Sequence, residues 1–300
     1  MLDGKITNAP HIHRARALLD SRALMRNPIQ VFEKYRKQLG QTFTFHFAGV
    51  KRAIVSTDPD FIQHVLHKNQ SNYRKSHIQV KRMREFNGYG LHNSHGERWL
   101  SMRRHLAKGF LTNRLKKMMP IQLEVMDEAM EGFAQRAGEG PVDIYQEMVK
   151  VSLALIGKTL FGRRISDEEL QVIADAVSDI QGFILRQIVQ PYLIPWFRLS
   201  GKTAYYQKIR SVGESLIEEH IDIRRRDGGG GSDMLGHMLE TPYEDTGRPM
   251  EDSQLLIETL QLLIAGNESS SIAMAWTFYL LAKHPECIAR IRAEIESVVG

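Results

Sequence analysis

The stretch LLIAGNESSS, at Leu262–Ser271, places a run of polar residues inside the most apolar part of the chain. The surrounding segment, Glu251–Lys283, is predicted to be one helix about 50 Å long at 1.5 Å per residue. It carries no charged residue between Ser269 and Ala282, and a helix this apolar on all sides is typical of the centre of a large protein. The glycine and serines would cost about 2–3 kcal/mol of helix stability relative to alanine. Such a departure from local rules in a core indicates a functional site.

Two interpretations of this stretch stay open on its residues alone. In the first, Gly266 lets another group lie against the backbone, and Ala265 and Ser269 share one helix face because they are one turn apart. In the second, the stretch marks a close helix crossing, and serine hydroxyls donate to carbonyl oxygens four residues earlier. A membrane span is disfavoured, because it would need about twenty apolar residues uninterrupted by Asn267 and Glu268.

Composition narrows the class of protein. The 300 residues are 42% hydrophobic and 25% charged, which fits a soluble globular protein with one or two domains. The net charge of +5 favours an acidic partner or an anionic ligand but does not decide the fold. The single cysteine, Cys287, excludes an internal disulfide and indicates a reducing compartment. Since no signal-like or anchor-like apolar run opens the sequence, we expect a cytoplasmic protein without a membrane anchor.

Residue periodicity predicts a mainly α fold with a small β-hairpin near the N-terminus. Strands are expected at Thr42–Phe47 and Arg52–Ser56, between helices that begin at Asn27 and Asp58. From Gly96 onward the chain is predicted to be almost entirely helical. The expected helices are Glu97–Phe110, Met118–Ala137, Val142–Phe161, Asp167–Val189, Lys202–Arg226, Asp233–Glu240, Glu251–Lys283 and Pro285–Val299.

Three segments are expected to lack regular structure. The segment Val189–Gly201 combines two prolines with bulky aromatic residues and is predicted to be an apolar loop. The glycine-rich segment Arg224–Asp233 is predicted to be a flexible linker. The basic segment Arg74–Leu91 is interpreted as a solvated loop, although its cations could also capture a carboxylate.

A second pattern lies in HGERWLSMRR, where His95, Trp99 and Arg103 are spaced by four and would share one face of a helix. All three side chains donate hydrogen bonds, and an arginine can bind a carboxylate through two parallel bonds. The stripe therefore suits a ligand that carries a carboxylate. The alternative is a tryptophan packed against the core beside an exposed arginine, and it stays open on this segment alone.

Taken together, the two patterns resemble the cytochrome P450 family, in its soluble, bacterial type. GERWLSMRR matches the WxxxR helix of that family at Trp99 and Arg103. AGNESS, at Ala265–Ser270, matches its AGxxT oxygen-binding helix, and KHPECIARIRAEI, at Lys283–Ile295, resembles the helix that follows. The resemblance runs roughly from Asn27 to the end of the sequence. It implies that the long helix is central to a P450-like fold.

The resemblance also implies a domain organisation. Residues 1–26 would form an N-terminal arm, and residues 27–300 would form the N-terminal and central part of a single P450 domain. The C-terminal haem-thiolate part of such a domain is absent from the sequence. No residue of this chain is therefore expected to ligate the iron, and the axial cysteine is expected after Gly300.

By the same resemblance, the cofactor would be haem b and the reaction would insert one oxygen atom from O2 into an organic substrate. Trp99 and Arg103 would bind a haem propionate, with His95 as a further donor. Ala265 and Gly266 would lie over the distal face of the haem.

Glu268 and Ser269 would form the acid–alcohol pair that delivers protons during oxygen activation. The family usually has threonine at the position of Ser269, so the hydroxyl is kept while the methyl group that restrains its rotamer is lost. Substrate would contact an apolar pocket, for which the expected residues are Phe86, Ile184, Ile188, Ile264 and Ala265. Such a pocket favours a lipophilic substrate such as a fatty acid, terpenoid or steroid.

Electrons would come from a ferredoxin- or flavodoxin-type partner, because the chain has no flavin or nicotinamide fingerprint. No nucleic acid is expected as a partner, since the basic residues are scattered and no binding motif occurs. The alternative function is a non-catalytic helical protein that binds haem or a lipophilic ligand, or an inactive P450 fragment.

Overall fold

The computed structural model of the chain describes residues 9–49, 51–136, 138–162 and 165–300. These residues form a mainly α fold with one two-stranded antiparallel sheet, as the sequence predicts. The chain divides into two compact units. One comprises Met1–Gly88, Asn93–His95 and Ser178–Arg210, and the other comprises Tyr89–His92, Gly96–Val177 and Ser211–Gly300.

The first unit is built around the β-hairpin. Strands β1 (Thr42–Phe47) and β2 (Lys51–Ser56) pair antiparallel, so the predicted second strand begins one residue too late. The rings of Phe43 and Phe45 are fully buried, and both lie against Tyr35 of helix α3 (Pro28–Leu39). The period-two alternation therefore directs every second side chain of β1 into an aromatic core.

The helices of this unit lie before and after the hairpin. They are α1 (Arg14–Leu19), α2 (Ser21–Arg26), α3 (Pro28–Leu39), α4 (Pro59–Gln63), α5 (His77–Asn87), the second part of α9 (Asp167–Val189), α10 (Ile194–Leu199) and the first part of α11 (Lys202–Arg226). The predicted starts of α3 and α4 are confirmed. The side chain of Asn27 accepts from the Gln30 amide, and that of Asp58 accepts from the Asp60 amide.

The prediction of loops at Arg74–Leu91 and Val189–Gly201 is wrong in part, since α5 and α10 lie within them. In α5 the charged residues mask an apolar face, and Arg82 is itself buried, with its guanidinium donating to Glu85 and Gln187. In α10 the proline lies in the first turn, where its missing N–H leaves no intrahelical bond unmade. Phe197 of α10 is then buried against Phe183.

The second unit contains helices and no strand in the part of the chain that the structure describes. It contains α6 (Gly96–Ala107), α7 (Thr112–Gln135), α8 (Ile144–Phe161), the first part of α9, the second part of α11, α12 (Met234–Glu240), α13 (Asp252–Lys283) and α14 (Pro285–Val298). Predicted and observed bounds agree for α9 and α11. Helix α7 begins six residues earlier than predicted and includes Pro120 within it.

Helix α13 passes through the polar stretch without interruption and packs along α8. The glycine-rich segment between α11 and α12, predicted as a flexible linker, is closed at its two ends. Arg224 forms a short ion pair with Asp233 and also donates to the carbonyl of Gly230 at 3.2 Å. Asp233 in turn caps α12 by accepting from the amide of Gly236 at 2.9 Å. None of the helices described is both long enough and apolar enough to cross a bilayer.

A buried histidine makes the second unit sensitive to acid. His105 of α6 is 2% exposed, and its ring lies 5.3 Å from that of His237. Burial, with His237 and Lys108 nearby, lowers the pKa of His105 to about 4. Because the folded pKa lies below the ordinary value, the unfolded chain binds more protons between these two pKa values. The free energy of unfolding therefore decreases as the pH falls through this window.

We expect the free energy of unfolding to fall by roughly 1–2 kcal/mol between pH 7 and pH 5 through His105. Replacing His105→Gln should flatten this pH dependence without abolishing it, because burial also lowers the pKa of His237. Urea unfolding at several pH values measures the slope. The exposed His67→Gln serves as the matched control, and an equal slope in both variants would show that His105 is not the sensor.

Candidate functional site

Within the second unit, hydrogen bonds hold the segment Tyr89–His92 against the first half of α13. The Leu91 amide donates to both carboxylate oxygens of Glu258, at 3.0 and 3.2 Å. The His92 amide donates to the side-chain oxygen of Gln261 at 2.8 Å. Two side chains on successive turns of α13 thus satisfy two backbone donors of this segment, which would be costly to leave unpaired in a core.

Glycine is required at position 90 for this attachment. A Cβ atom on Gly90 would lie 2.6 Å from Glu258 Oε1 and 2.8 Å from the side chain of Gln261. The close approach of backbone to helix therefore depends on the missing side chain. No pattern in the sequence marks this glycine, although a lone acid in an apolar helix, such as Glu258, indicates a buried anchor.

Glu258 is the buried centre of this contact. It has no exposed surface, and burial raises the pKa of its carboxyl group, while Leu91, Gln254 and Arg98 oppose the shift. Arg98 of α6 donates to the Tyr89 carbonyl at 3.2 Å and forms a short hydrogen bond with Gln254. Helix α6 is therefore linked to α13 through polar groups as well as through the apolar core.

The predicted donor stripe lies on α6 and in the residue before it. Arg103 is exposed and forms no ion pair with any residue in the described ranges, while Trp99 is half-buried. His95 is exposed and belongs to the first unit. Met102, His105 and Leu106 are the core residues of the same helix. This arrangement leaves the guanidinium of Arg103 available to an anion, and it is equally compatible with the packing alternative for Trp99.

The polar stretch of α13 presents two different sides. On one side, Asn267 and Ser271 are buried, and Ser271 donates to the Asn267 carbonyl at 2.8 Å. On the other side, Ala265 and Ser269 are exposed, and the Ser269 hydroxyl donates to the Ala265 carbonyl at 2.7 Å. Glu268 is exposed as well. The hydroxyls bond back four residues, as the second interpretation predicts, while the small-residue face of the first interpretation also exists.

Gly266 marks the crossing of α8 and α13. A Cβ atom at this position would lie 2.7 Å from Cδ1 and 3.0 Å from Cγ1 of Ile156. The close approach predicted at Gly266 is present, and its partner is a side chain of α8. The position of Gly266 beside a haem stays a prediction.

Three of the predicted substrate residues lie together in the first unit. Phe86 is fully buried and its ring meets that of Phe183 edge to face at 5.5 Å. Ile184 is buried in the same cluster, and Ile188 packs against it. In the second unit, Ile264 packs partly buried against the core, beside the exposed Ala265. Their role as pocket walls stays a prediction.

A family model described as cytochrome P450 matches residues 17–300. The chain belongs to the cytochrome P450 family. Cytochrome P450 72A15 of Arabidopsis thaliana is 25% identical over 283 residues, which cover 91% of this chain and 53% of that protein. Cyclooctat-9-en-7-ol 5-monooxygenase of Streptomyces melanosporofaciens is 24% identical over 251 residues, 84% of this chain and 54% of its own.

Pentalenene oxygenase of Streptomyces avermitilis is 25% identical over 252 residues, which cover 84% of this chain and 55% of the relative. The chain thus spans about half the length of the curated relatives that it matches.

Family membership implies a haem cofactor, and the donor set of this chain fits one. Arg103 offers a guanidinium without a carboxylate partner among the described residues, and Trp99 offers an indole N–H on the same helix. The small side chains of Ala265 and Ser269 lie exposed on α13. Within the described ranges, no group of three or more His, Cys, Asp or Glu residues is placed to hold a metal ion.

The crossing at Gly266 can be tested by a double-mutant cycle. We expect Gly266→Ala to be less favourable in the parent than in an Ile156→Val background by about 1–2 kcal/mol, because Cδ1 of Ile156 occupies the space of the new methyl group. Chemical unfolding measures both backgrounds. Gly132→Ala, where a Cβ atom meets nothing within 4 Å, is the control and should gain roughly 0.5–1 kcal/mol. Additive effects at positions 156 and 266 would contradict the crossing.

Proposed function

We propose that the protein is a haem-dependent monooxygenase that inserts one oxygen atom from O2 into a lipophilic organic substrate. Haem b would be the cofactor, and a ferredoxin- or flavodoxin-type partner would supply electrons. The observation that carries the proposal is that one unit contains both Arg103 of α6, which has no carboxylate partner among the described residues, and the exposed small side chains of Ala265 and Ser269 on α13. Two relatives are named as a monooxygenase and an oxygenase, and these names support oxygen insertion.

Arg103 and Trp99 would hold a haem propionate, and His95 would add a third donor. An arginine forms two parallel charge-assisted bonds to a carboxylate, which fixes orientation as well as charge. Bound haem would supply the oxygen chemistry. Ala265 would leave room over the haem because its side chain is a single methyl group, and Gly266 beside it would keep α13 close to α8.

Glu268 and Ser269 would deliver protons. Ser269 lacks the methyl group of threonine, so its rotamer is freer. The hydrogen bond from its hydroxyl to the Ala265 carbonyl restrains that rotamer instead. While it donates to the carbonyl, the oxygen can still accept a hydrogen bond, for example from the direction of Glu268. To pass its own proton on, the hydroxyl would rotate away from the Ala265 carbonyl and then take a replacement proton from the side of Glu268. The acid and alcohol would thus relay protons from solvent to the haem face.

The substrate would be lipophilic, such as a fatty acid, terpenoid or steroid. The support is the apolar character of the predicted wall residues, which are Phe86, Ile184, Ile188, Ile264 and Ala265. The exposed Lys116 and Lys117 at the start of α7 would attract an acidic redox partner. We further propose that residues 27–300 are part of one P450 domain, whose axial cysteine lies outside this sequence, and that the protein is cytoplasmic.

Arg103→Leu should lower the haem content of the purified full-length protein at least severalfold, because the propionate would lose its charged partner. The ratio of Soret absorbance to protein absorbance measures occupancy. Arg104→Leu, which removes an exposed arginine one residue further along α6, should leave that ratio unchanged. Normal haem content in Arg103→Leu, or loss of fold at unchanged occupancy, would favour the packing alternative for the stripe.

Ser269→Ala should increase the peroxide released per electron pair consumed, because a proton donor is lost while the pocket keeps its shape. Product, peroxide and reductant consumption are measured together in the full-length enzyme, and substrate affinity should change little. Ser270→Ala is the neighbouring control and should stay coupled. Equal coupling in all three proteins would remove Ser269 from the proton path. Haem uptake without oxygen consumption in the parent would instead indicate the non-catalytic binding protein.

A further inference from the structure

A cavity of about 420 Å³ lies in the first unit, away from every residue assigned above. Its lining residues are Ala9, His11, Ile12, His13, Arg14, Thr44, His46 and Arg52. This set contains two arginines and three histidines but no carboxylate. A cavity with that composition attracts negative charge.

Backbone pairing creates the cavity. The segment before α1 adds to the edge of β1, where the Ile12 amide donates to the Thr44 carbonyl at 3.1 Å. The Thr44 amide donates to the Pro10 carbonyl at 2.8 Å. Since side chains alternate along a strand, Thr44 and His46 share the face of β1 opposite to its buried phenylalanines. Arg52 stands across from His46 in the hairpin register and so lies on this face as well.

Two buried polar atoms on this face have unused bonding capacity. Thr44 is 2% exposed and His46 is 8% exposed. Thr44 Oγ1 and His46 Nδ1 have no hydrogen-bond partner among the residues that the structure describes. An unpaired buried polar atom destabilises a fold, and a ligand group that bonded to these two atoms would remove that cost.

The charged groups that shift the pKa of His46 are all cationic among the residues that the structure describes. Burial lowers the pKa of His46, and Arg14, Arg52 and His11 lower it further, while only the Ile12 carbonyl opposes them. These groups come from α1, β2 and the segment paired with β1. A bound anion would reverse this balance, because it would stabilise the imidazolium form.

We propose that this cavity binds the phosphate group of a phosphate monoester. Guanidinium and imidazolium groups match the several oxygens and the negative charge of a phosphate. The cavity is larger than inorganic phosphate alone, so an organic group attached to the phosphate would be accommodated with it. The source is either a soluble phosphorylated molecule or a lipid headgroup, since both present the same chemistry.

The test uses the full-length protein and glycerol 3-phosphate as the soluble probe. Arg14→Gln should weaken binding about tenfold in calorimetry, because a charge-assisted contact is lost. Arg14→Lys should recover part of the affinity. The matched control is Arg22→Gln, which removes an exposed arginine from α2 in the same unit and should leave the affinity within about twofold. Equal losses in Arg14→Gln and Arg22→Gln would show only net-charge attraction and overturn the proposal.

A second readout follows His46 directly. Saturation with glycerol 3-phosphate should raise the pKa of His46 in an NMR titration of the imidazole resonances, and an unchanged pKa would overturn the placement of the phosphate. Flotation with phosphatidylcholine vesicles, with and without phosphatidic acid, distinguishes the sources. Binding only to vesicles with phosphatidic acid, in competition with glycerol 3-phosphate, identifies a lipid headgroup. Binding of the soluble probe alone identifies a small molecule, and binding of neither overturns the proposal.

Discussion

The contact between α8 and α13 organises the larger unit of this protein. Two long helices can lie this close only where one of them lacks a side chain, and Gly266 supplies that position against Ile156. The buried Asn267 and Ser271 lie on the same packed part of α13, with the serine hydroxyl satisfied by its own helix. The crossing therefore places polar residues in a core without leaving them unpaired. As a result, Ala265 and Ser269 lie on the opposite side of α13, where they are exposed.

Much of the helical framework could be predicted from the sequence, because apolar spacing and capping residues are local features of the chain. Helices α9 and α11 have the predicted bounds, and Asn27 and Asp58 cap helices where capping residues predict a start. The failures have equally local causes. In α5 a dense run of charges hides the apolar face that Phe86 completes, and in α10 the proline of the first turn is equally typical of a loop. The spacing of apolar residues predicts the buried face of a helix less well when a cation such as Arg82 also lies on that face.

Only part of the candidate site could be predicted from the sequence. Gly266 and Ser269 stand out because they violate helix preferences, so a single sequence suffices to mark them. The attachment of Leu91 to Glu258 could not be found in this way, since a backbone amide has no sequence signature and its partner is far away along the chain. The same limit applies to Gly90, whose role depends on a helix that begins more than 150 residues later. The cavity at His46 could not be predicted from the sequence, because His11 and His13 come to line it only when the segment before α1 pairs with β1.

The attachment of Leu91 to Glu258 also sets an order of events during folding. The two residues are separated by 167 positions, and closing so long a loop is entropically unfavourable until other contacts have brought its ends together. Helices α6, α7 and α8 can form from local contacts as they leave the ribosome, but the amides of Leu91 and His92 acquire their partners only after Gln261 has been synthesised. The segment that precedes α6 is thus made well before the residues of α13 that fix it in place.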